Sequence, residues 1–278
     1  MADLTKIKDF FRREKIEYYS AVPLSECKVI KPYLLGRSAI SADTGSALVF
    51  LAPYYTGDYG GNVSLYAVPR DYHIYFSRLF GELCALLTSF FPDCAFHGFA
   101  DHSPVDEVHA ASKAGLGAIG DNGLLINDKY SSFVFIGAIC SNLGASEYGD
   151  IAQVSEIAEC LRCGKCAAVC PSRALGRGNK NATCLSAVTQ KKGALTADEV
   201  ALIRRHGSVW GCDLCQTQCP MVKPAVTEIE FFHRNIIANL DSRTLAEMSD
   251  AEFAQRAYSW RGRETIARNL QITGDDIK

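Results

Sequence analysis

The 278-residue sequence has almost no net charge, with 29 lysines and arginines against 31 aspartates and glutamates, and its isoelectric point lies near 6.3. Such a balance gives no overall pull toward nucleic acid or an acidic membrane surface, so no partner follows from charge alone. Long apolar runs are lacking as well. No window approaches the roughly 18 uninterrupted apolar residues of a membrane span. Nor is there an export core, because Glu14 and Lys15 follow Arg12-Arg13 where an apolar segment would have to begin. Residues 3–15 instead alternate apolar and charged side chains at helical spacing, as expected of an amphipathic surface helix in a cytoplasmic protein. Internal repeats and low-complexity segments are absent. A nucleotide fingerprint is missing in substance: Gly115-Leu-Gly117-Ala-Ile-Gly120 has the G-x-G-x-x-G spacing, but helical residues precede it and strand-like residues follow, the reverse of a dinucleotide site.

What is present begins with a chain long enough, and at 48% hydrophobic apolar enough, to bury a full core. Residues 16–22 lean toward a strand ending at Pro23, and residues 47–52, Ala-Leu-Val-Phe-Leu-Ala, have the composition of a strand covered on both faces. An amphipathic helix is expected from about His73 to Phe91. A strand is expected over residues 96–101, then a turn through His102 and Pro104 into a helix over 105–114. Two further strands are expected at 124–127 and 132–140, joined by residues 128–130. The glycines at 115, 117, 120 and 123 would let backbone approach a flat or bulky ligand. Beyond the loop-like residues 144–149 the sequence predicts a helix over 195–206 capped by Thr196, and a capping box at Ser249 and Glu252.

Twelve cysteines divide into two groups. Cys27, Cys84, Cys94 and Cys140 are scattered in apolar surroundings and read as reduced core residues. The other eight lie in or between Cys160-Leu-Arg-Cys163-Gly-Lys-Cys166-Ala-Ala-Val-Cys170-Pro171 and Cys212-Asp-Leu-Cys215-Gln-Thr-Gln-Cys219-Pro220. Paired C-x2-C motifs also make tetrahedral zinc sites. Three cysteines spaced two apart, with a fourth three further on before proline, match a four-iron cubane far better. Two cubanes need eight thiolates, and the isolated Cys184 completes the count. The pairing expected is Cys160, Cys163, Cys166 with Cys219 for one cubane and Cys170, Cys184, Cys212, Cys215 for the other, although spacing supports the count better than the partition. Two adjacent cubanes form an electron relay, and the residues ahead of them must bind what receives the electrons.

Taken in order, Leu65-Tyr-Ala, Arg70-Asp-Tyr-His73, Asp101-His-Ser-Pro-Val, residues 113–127, both cysteine motifs with Gly211-Cys-Asp-Leu-Cys-Gln, Trp260-Arg-Gly-Arg-Glu and Arg268-Asn-Leu resemble the cobalamin-dependent epoxyqueuosine reductases. More distantly the arrangement is similar to the reductive dehalogenases. The resemblance implies an α+β chain: an α/β cobalamin-binding reductase domain over residues 1–150, a ferredoxin-like double-cubane domain over 151–225, and short C-terminal helices over 226–278. It implies base-off cobalamin held largely through backbone, with Ser64 near the cobalt face, contacts around Leu125 and Ile136, and Asp101 as proton donor. General-acid chemistry near neutral pH would require burial to raise the Asp101 pKa; the alternative is that Asp101 merely caps the following helix. His102 stands as either a site residue or a solvated one, and His73 and His109 as structural. Tyr54, Tyr55, Tyr59 and Tyr66 could wall a pocket or simply pack. Family members continue into a helical-repeat domain that helps hold tRNA, whereas this sequence stops at Lys278. The expectation is therefore a reductase fed by an external low-potential donor of ferredoxin or flavodoxin type. Its substrate would be epoxyqueuosine in tRNA or a small epoxide or organohalide; a ferredoxin-like carrier or corrinoid activator is the non-enzymatic alternative.

Overall fold

Eight consecutive buried residues, Ser46–Pro53, form the strand around which the first half of the chain is built. The computed structural model describes residues 5–157, 159–175, 183–221 and 223–274. It resolves into two units: residues 1–54, 75–161 and 221–229 cluster in one, and residues 55–74, 162–220 and 230–278 in the other. These boundaries differ from divisions at 150 and 225 because residues 55–74 leave the first unit to pair with the cysteine-rich part, and 221–229 return to the first.

In the first unit the order is α1 (Thr5–Arg13), β1 (Tyr19–Pro23), α2 (Pro32–Arg37), β2 (Ser46–Pro53), α3 (Tyr72–Phe90, which starts in the other unit), β3 (Phe96–Phe99), α4 (Glu107–Lys113), β4 (Ala118–Ile119), β5 (Leu125–Ile126) and β6 (Val134–Ser141). Four strands make one sheet in the order β1-β2-β6-β3, and β4 and β5 make a separate hairpin. Every strand pair is antiparallel. The chain is thus mixed helix and sheet of the α+β kind. The parallel crossovers that an α/β label carries do not occur among the described strands. β2 is an inner strand, which explains its unbroken apolar run: one face meets Phe11, Phe76 and Phe80 around Phe50, the other joins a cluster with Leu35, Val105, Ala110 and Leu116. The expected strand at 124–127 is shorter than anticipated and pairs with β4, not β6.

Seven α-helices lie wholly in the second unit among the described residues: α5 (Lys165–Val169), α6 (Leu185–Thr189), α7 (Ala197–His206), α8 (Leu214–Thr217), α9 (Ser242–Glu247), α10 (Asp250–Ala254) and α11 (Arg263–Thr273). Both predicted capping boxes form, Thr196 with Glu199 on α7 and Ser249 with Glu252 on α10. A parallel bridge between Val63 and Trp210 brings residues 55–74 into this unit. Trp210 is wholly buried and donates its indole N–H to the Tyr66 hydroxyl at 2.7 Å. Arg256, also buried, donates to the carbonyls of Ala67, Val68 and Asn235. α11 packs on α7 and α9 and contributes the buried Asn269.

Candidate functional site

The cysteine motifs meet through short helices. α5 carries Cys166 and ends at Cys170, α8 carries Cys215, and the two helices pack together. Cys184 is the N-cap of α6, whose last residue, Thr189, accepts the Gly211 N–H at 2.9 Å just before Cys212. These links set Cys170, Cys184, Cys212 and Cys215 close enough to act on one another electrostatically. Burial, reinforced by Cys212, Cys184 and Cys170, pushes the Cys215 thiol up to about 11. Burial also raises Cys212, with Cys184, Asp213 and Cys170 acting in the same direction. Cys212 and Cys215, whose ionisation burial and the neighbouring thiols oppose, are poor anions alone and good ligands for iron, whose positive charge makes thiolate the favoured form. At Cys170 burial is outweighed: the N–H groups of Leu175, Ala174 and Ser172 and the Ser172 hydroxyl hold its thiol below the ordinary value. Among the described residues no three Cys, His, Asp or Glu side chains have the spacing of a single-ion site; a cubane holds its thiolates further apart, each on its own iron. Cys163, Cys166 and Cys219 share the second unit with these four, whereas Cys160 falls in the first, two residues before the boundary at 162.

The scattered cysteines are free thiols. Only Cys140 is fully buried; Cys27, Cys84 and Cys94 are half-buried at the core's edge. Burial pushes Cys27 and Cys84 up to about 11 and Cys140 to about 12, which leaves them protonated and inert.

Ser64 lies in the second unit and is buried. Its hydroxyl donates to Asp213 Oδ1 at 2.5 Å, while the Leu65 N–H meets Asp213 Oδ2 at 2.8 Å. Gly211 makes this approach possible: its φ is +77°, and a Cβ there would stand 2.3 Å from the Ser64 Cβ. Ser64 is therefore fastened to the Cys212–Cys215 loop. Burial raises the Asp213 pKa against the pull of those two hydrogen bonds.

Asp101, Leu125 and Ile136 lie in the first unit. Leu125 is buried in the same apolar cluster against which Ile136 and Phe99 pack. Ile136 is paired with Leu51 on β2. The Leu51 N–H, however, donates to the Tyr18 carbonyl on the far side, so Leu51–Ile136 is a non-hydrogen-bonded pair. Ile136 must then turn its N–H and C=O to the other edge of β6, which β3 covers only as far as Phe99 opposite Ala138. Extending that register by two would set residue 101 opposite residue 136. The chain turns away first: Asp101 has φ +62°, and the His102 N–H bonds the Ala100 carbonyl across it at 2.7 Å, a tight three-residue turn. A sheet edge left open at Ile136 beside an acid-bearing turn suits a ligand gripped through backbone. The glycines give less. A Cβ at Gly117 would lie 2.4 Å from the Ile126 carbonyl oxygen, so the close approach there is made by the hairpin itself.

In the chain by itself Asp101 meets neither the capping alternative nor the burial that would raise its pKa. It is not the helix cap, because Asp106 caps α4 by accepting the His109 N–H at 3.2 Å. Nor is it buried; its side chain is exposed. The acid that burial pushes up, to about 8, is Glu107, whose Oε2 accepts the Asp101 N–H at 3.0 Å. Sequence reasoning missed Glu107, since an acid in the first turn of a helix ordinarily faces solvent. His102 is exposed, with Nδ1 3.2 Å from Lys31 Nζ. His73 is tied to Asp71, and His109 accepts the Lys28 N–H, both structural. Tyr54 packs on Phe133 and Phe135, and Tyr66 serves Trp210, whereas Tyr59 is exposed.

Residues 159–222 match the family described as a 4Fe-4S double cluster binding domain. The fold and this domain define the class, an α+β protein built around an iron–sulfur double-cluster module. The chain is 30% identical over 206 residues to an epoxyqueuosine reductase of Synechocystis, covering 70% of this chain and 68% of the relative. It is 32% identical over 217 residues to that of Lactococcus garvieae, covering 72% and 58%. The chain belongs to the epoxyqueuosine reductase family. It spans between 53% and 61% of the length of several of these relatives. Solved structures share the fold at low identity. An epoxyqueuosine reductase with a tRNA-Tyr epoxyqueuosine-modified stem loop superposes with a TM-score of 0.73 at 21% identity, covering 98% of this chain and 81% of that one. One from Bacillus subtilis, with its catalytic aspartate loop swung out of the active site, gives 0.71 at 20%, covering 98% and 82%. Among the described residues no helix is long and apolar enough to cross a membrane.

Proposed function

We propose that this chain is a cobalamin-dependent iron–sulfur oxidoreductase that removes the epoxide oxygen of epoxyqueuosine in tRNA. The observation that carries this reading is the gathering of Cys184 with Cys170, Cys212 and Cys215, which completes an eight-thiolate set within a chain of the epoxyqueuosine reductase family. Reducing an epoxide to an alkene takes two electrons and two protons and releases water. One-electron clusters in a pair supply the electrons in sequence, drawn from an external low-potential donor, and the corrin when bound supplies a strongly reducing cobalt.

The chain's own residues do the rest. Cys160, Cys163, Cys166 and Cys219 would hold one cubane and Cys170, Cys184, Cys212 and Cys215 the other. The open edge at Ile136 and the hairpin backbone at Leu125 would grip the corrin, and Ser64 would fix residues 55–74 to the second cluster loop through Asp213. Breaking the carbon–oxygen bond places negative charge on oxygen, and Asp101 acts as the acid that neutralises it. Its exposed, turn-mounted position is that of a donor whose environment is completed by the bound ligands. The B. subtilis relative, with its catalytic aspartate loop swung out, supports a movable donor of this kind. The relative solved with a modified tRNA stem loop supports tRNA as substrate.

Anaerobic reconstitution should load about eight irons and produce a base-off cobalamin spectrum, and the gene should restore queuosine to a reductase-deficient cell. Restoration failing while both cofactors load would move the substrate to a small molecule; no cobalamin binding would remove the reading altogether.

A further inference from the structure

Glu107 is the first residue of α4, where a carboxylate would ordinarily face water and favour the helix's positive end. Its side chain instead folds back over the segment leaving β3. Oε2 accepts the Asp101 N–H at 3.0 Å, and Oε1 is buried with no hydrogen-bond partner among the described residues. The turn it meets is strained, because Asp101 sits at φ +62° between the Ala100 carbonyl and the His102 N–H. A three-residue turn of positive φ is the rare form and persists only where neighbours over-determine it. Nothing in the sequence between 100 and 106 supplies a glycine to relieve it.

Resting on the reading of Asp101 as proton donor, we propose that Glu107 is its positioning residue: the Glu107 carboxyl group clamps the Asp101 amide and so holds the donor turn at the end of β3. Only a side chain of this length, anchored by the capped first turn of α4, bridges the six residues back to the turn. The groups around it are mixed in sign. Asp106 stands beside it on α4, held by Lys28 and by the His109 N–H. Lys31, which also approaches His102, faces it from the segment before α2. Asp101 faces it from the turn, and from β6 it faces the buried Cys140 thiol, with Cys27 beyond. Burial dominates this balance and keeps Glu107 protonated at neutral pH, where its carbonyl-type oxygen accepts the amide without placing a second negative charge beside Asp101.

The test is amide hydrogen exchange on the reconstituted full chain, paired with steady-state turnover. Glu107→Asp keeps an acid in the first turn but is one methylene short of the Asp101 N–H, so exchange at Asp101 should rise about tenfold. Protection in β2 and β6 should not change. Glu107→Gln keeps both length and a neutral acceptor, and should match the parent at pH 7 in exchange and kcat. In Glu107→Asp, kcat should fall about tenfold with KM nearly constant, and the parent's pH dependence near 8 should vanish in Glu107→Gln. Parent-like protection in Glu107→Asp, or equal acceleration in both variants, overturns the proposal. Failure of the donor reading itself shows separately, as undiminished turnover in Asp101→Asn while Glu107→Asp still loosens the turn.

Discussion

Replacing Asn269 by alanine isolates the strut that holds the second cluster loop. Asn269 is fully buried on α11, and its amide nitrogen donates to the Thr189 and Val209 carbonyls, both at 2.8 Å. Its oxygen accepts from Arg268 Nε and Nη2 at 3.2 and 2.9 Å. Thr189 ends α6, just after Cys184, and Val209 stands three residues before Cys212, so this one side chain ties α11 to both approaches to a cluster. Alanine would leave two buried carbonyls without donors. At about 1–3 kcal/mol for each unsatisfied buried group, and allowing for partial collapse, the loss should be about 2–5 kcal/mol. Through the usual scaling for a chain of this size, that corresponds to a melting point lower by roughly 3–9 °C. Differential scanning fluorimetry of anaerobically reconstituted protein reads it, with Arg243→Ala as control. Arg243 and its Glu247 partner are both well exposed, and losing that pair should cost under about 0.5 kcal/mol. A drop for Asn269→Ala no larger than for the control would refute the reasoning, because it would mean the two carbonyls find other donors at no cost.

Other expected outcomes follow from the same geometry. Cys184→Ala should halve the iron content, to about four per chain, and remove one of two electron paramagnetic resonance signals while the fold survives. Asp101→Asn should lower turnover by about two orders of magnitude or more without changing iron or cobalamin content. Glu107 gives a pH signature in stability. Its folded pKa, about 8, lies above the ordinary 4.5, so between those values the unfolded chain releases a proton that the folded one keeps. Stability should therefore fall as pH rises through that window, by at most about 1.4 kcal/mol per unit, and level off above 8. Glu107→Gln should flatten that slope, as read by urea unfolding at a series of pH values. A flat response across that window would place the Glu107 carboxylate in a solvated or ion-paired setting.

Much of this was legible in the sequence because it depended on near neighbours. The apolar run of β2, the amphipathic face of α3 and the capping boxes at Thr196 and Ser249 are set by patterns a few residues long. The cysteine count was legible for the same reason, since ligand spacing is a local property. What escaped was set at a distance. The pairing of β5 with β4 depends on which short strand wins a hairpin partner, and neither strand is longer than two residues. The transfer of residues 55–74 to the cysteine-rich unit rests on the Val63–Trp210 bridge and the Ser64–Asp213 contact, partners some 150 positions apart. The burial of Glu107 and the exposure of Asp101 reverse what their positions suggest, because the decisive neighbour of each is the other, brought near by a turn the composition does not announce. Glycines 117 and 120, read as room for a ligand, instead admit the chain's own Ile126 carbonyl and Asn122 side chain.

The central claim is that electrons gathered by two cubanes end on an epoxide in tRNA. Its most direct test is anaerobic incubation of the reconstituted, cobalamin-loaded protein with epoxyqueuosine-containing tRNA and a low-potential reductant, followed by nucleoside mass spectrometry. Conversion of epoxyqueuosine to queuosine, lost on omitting cobalamin, is the predicted result. Intact epoxyqueuosine in the presence of a full complement of iron and cobalamin would contradict the account.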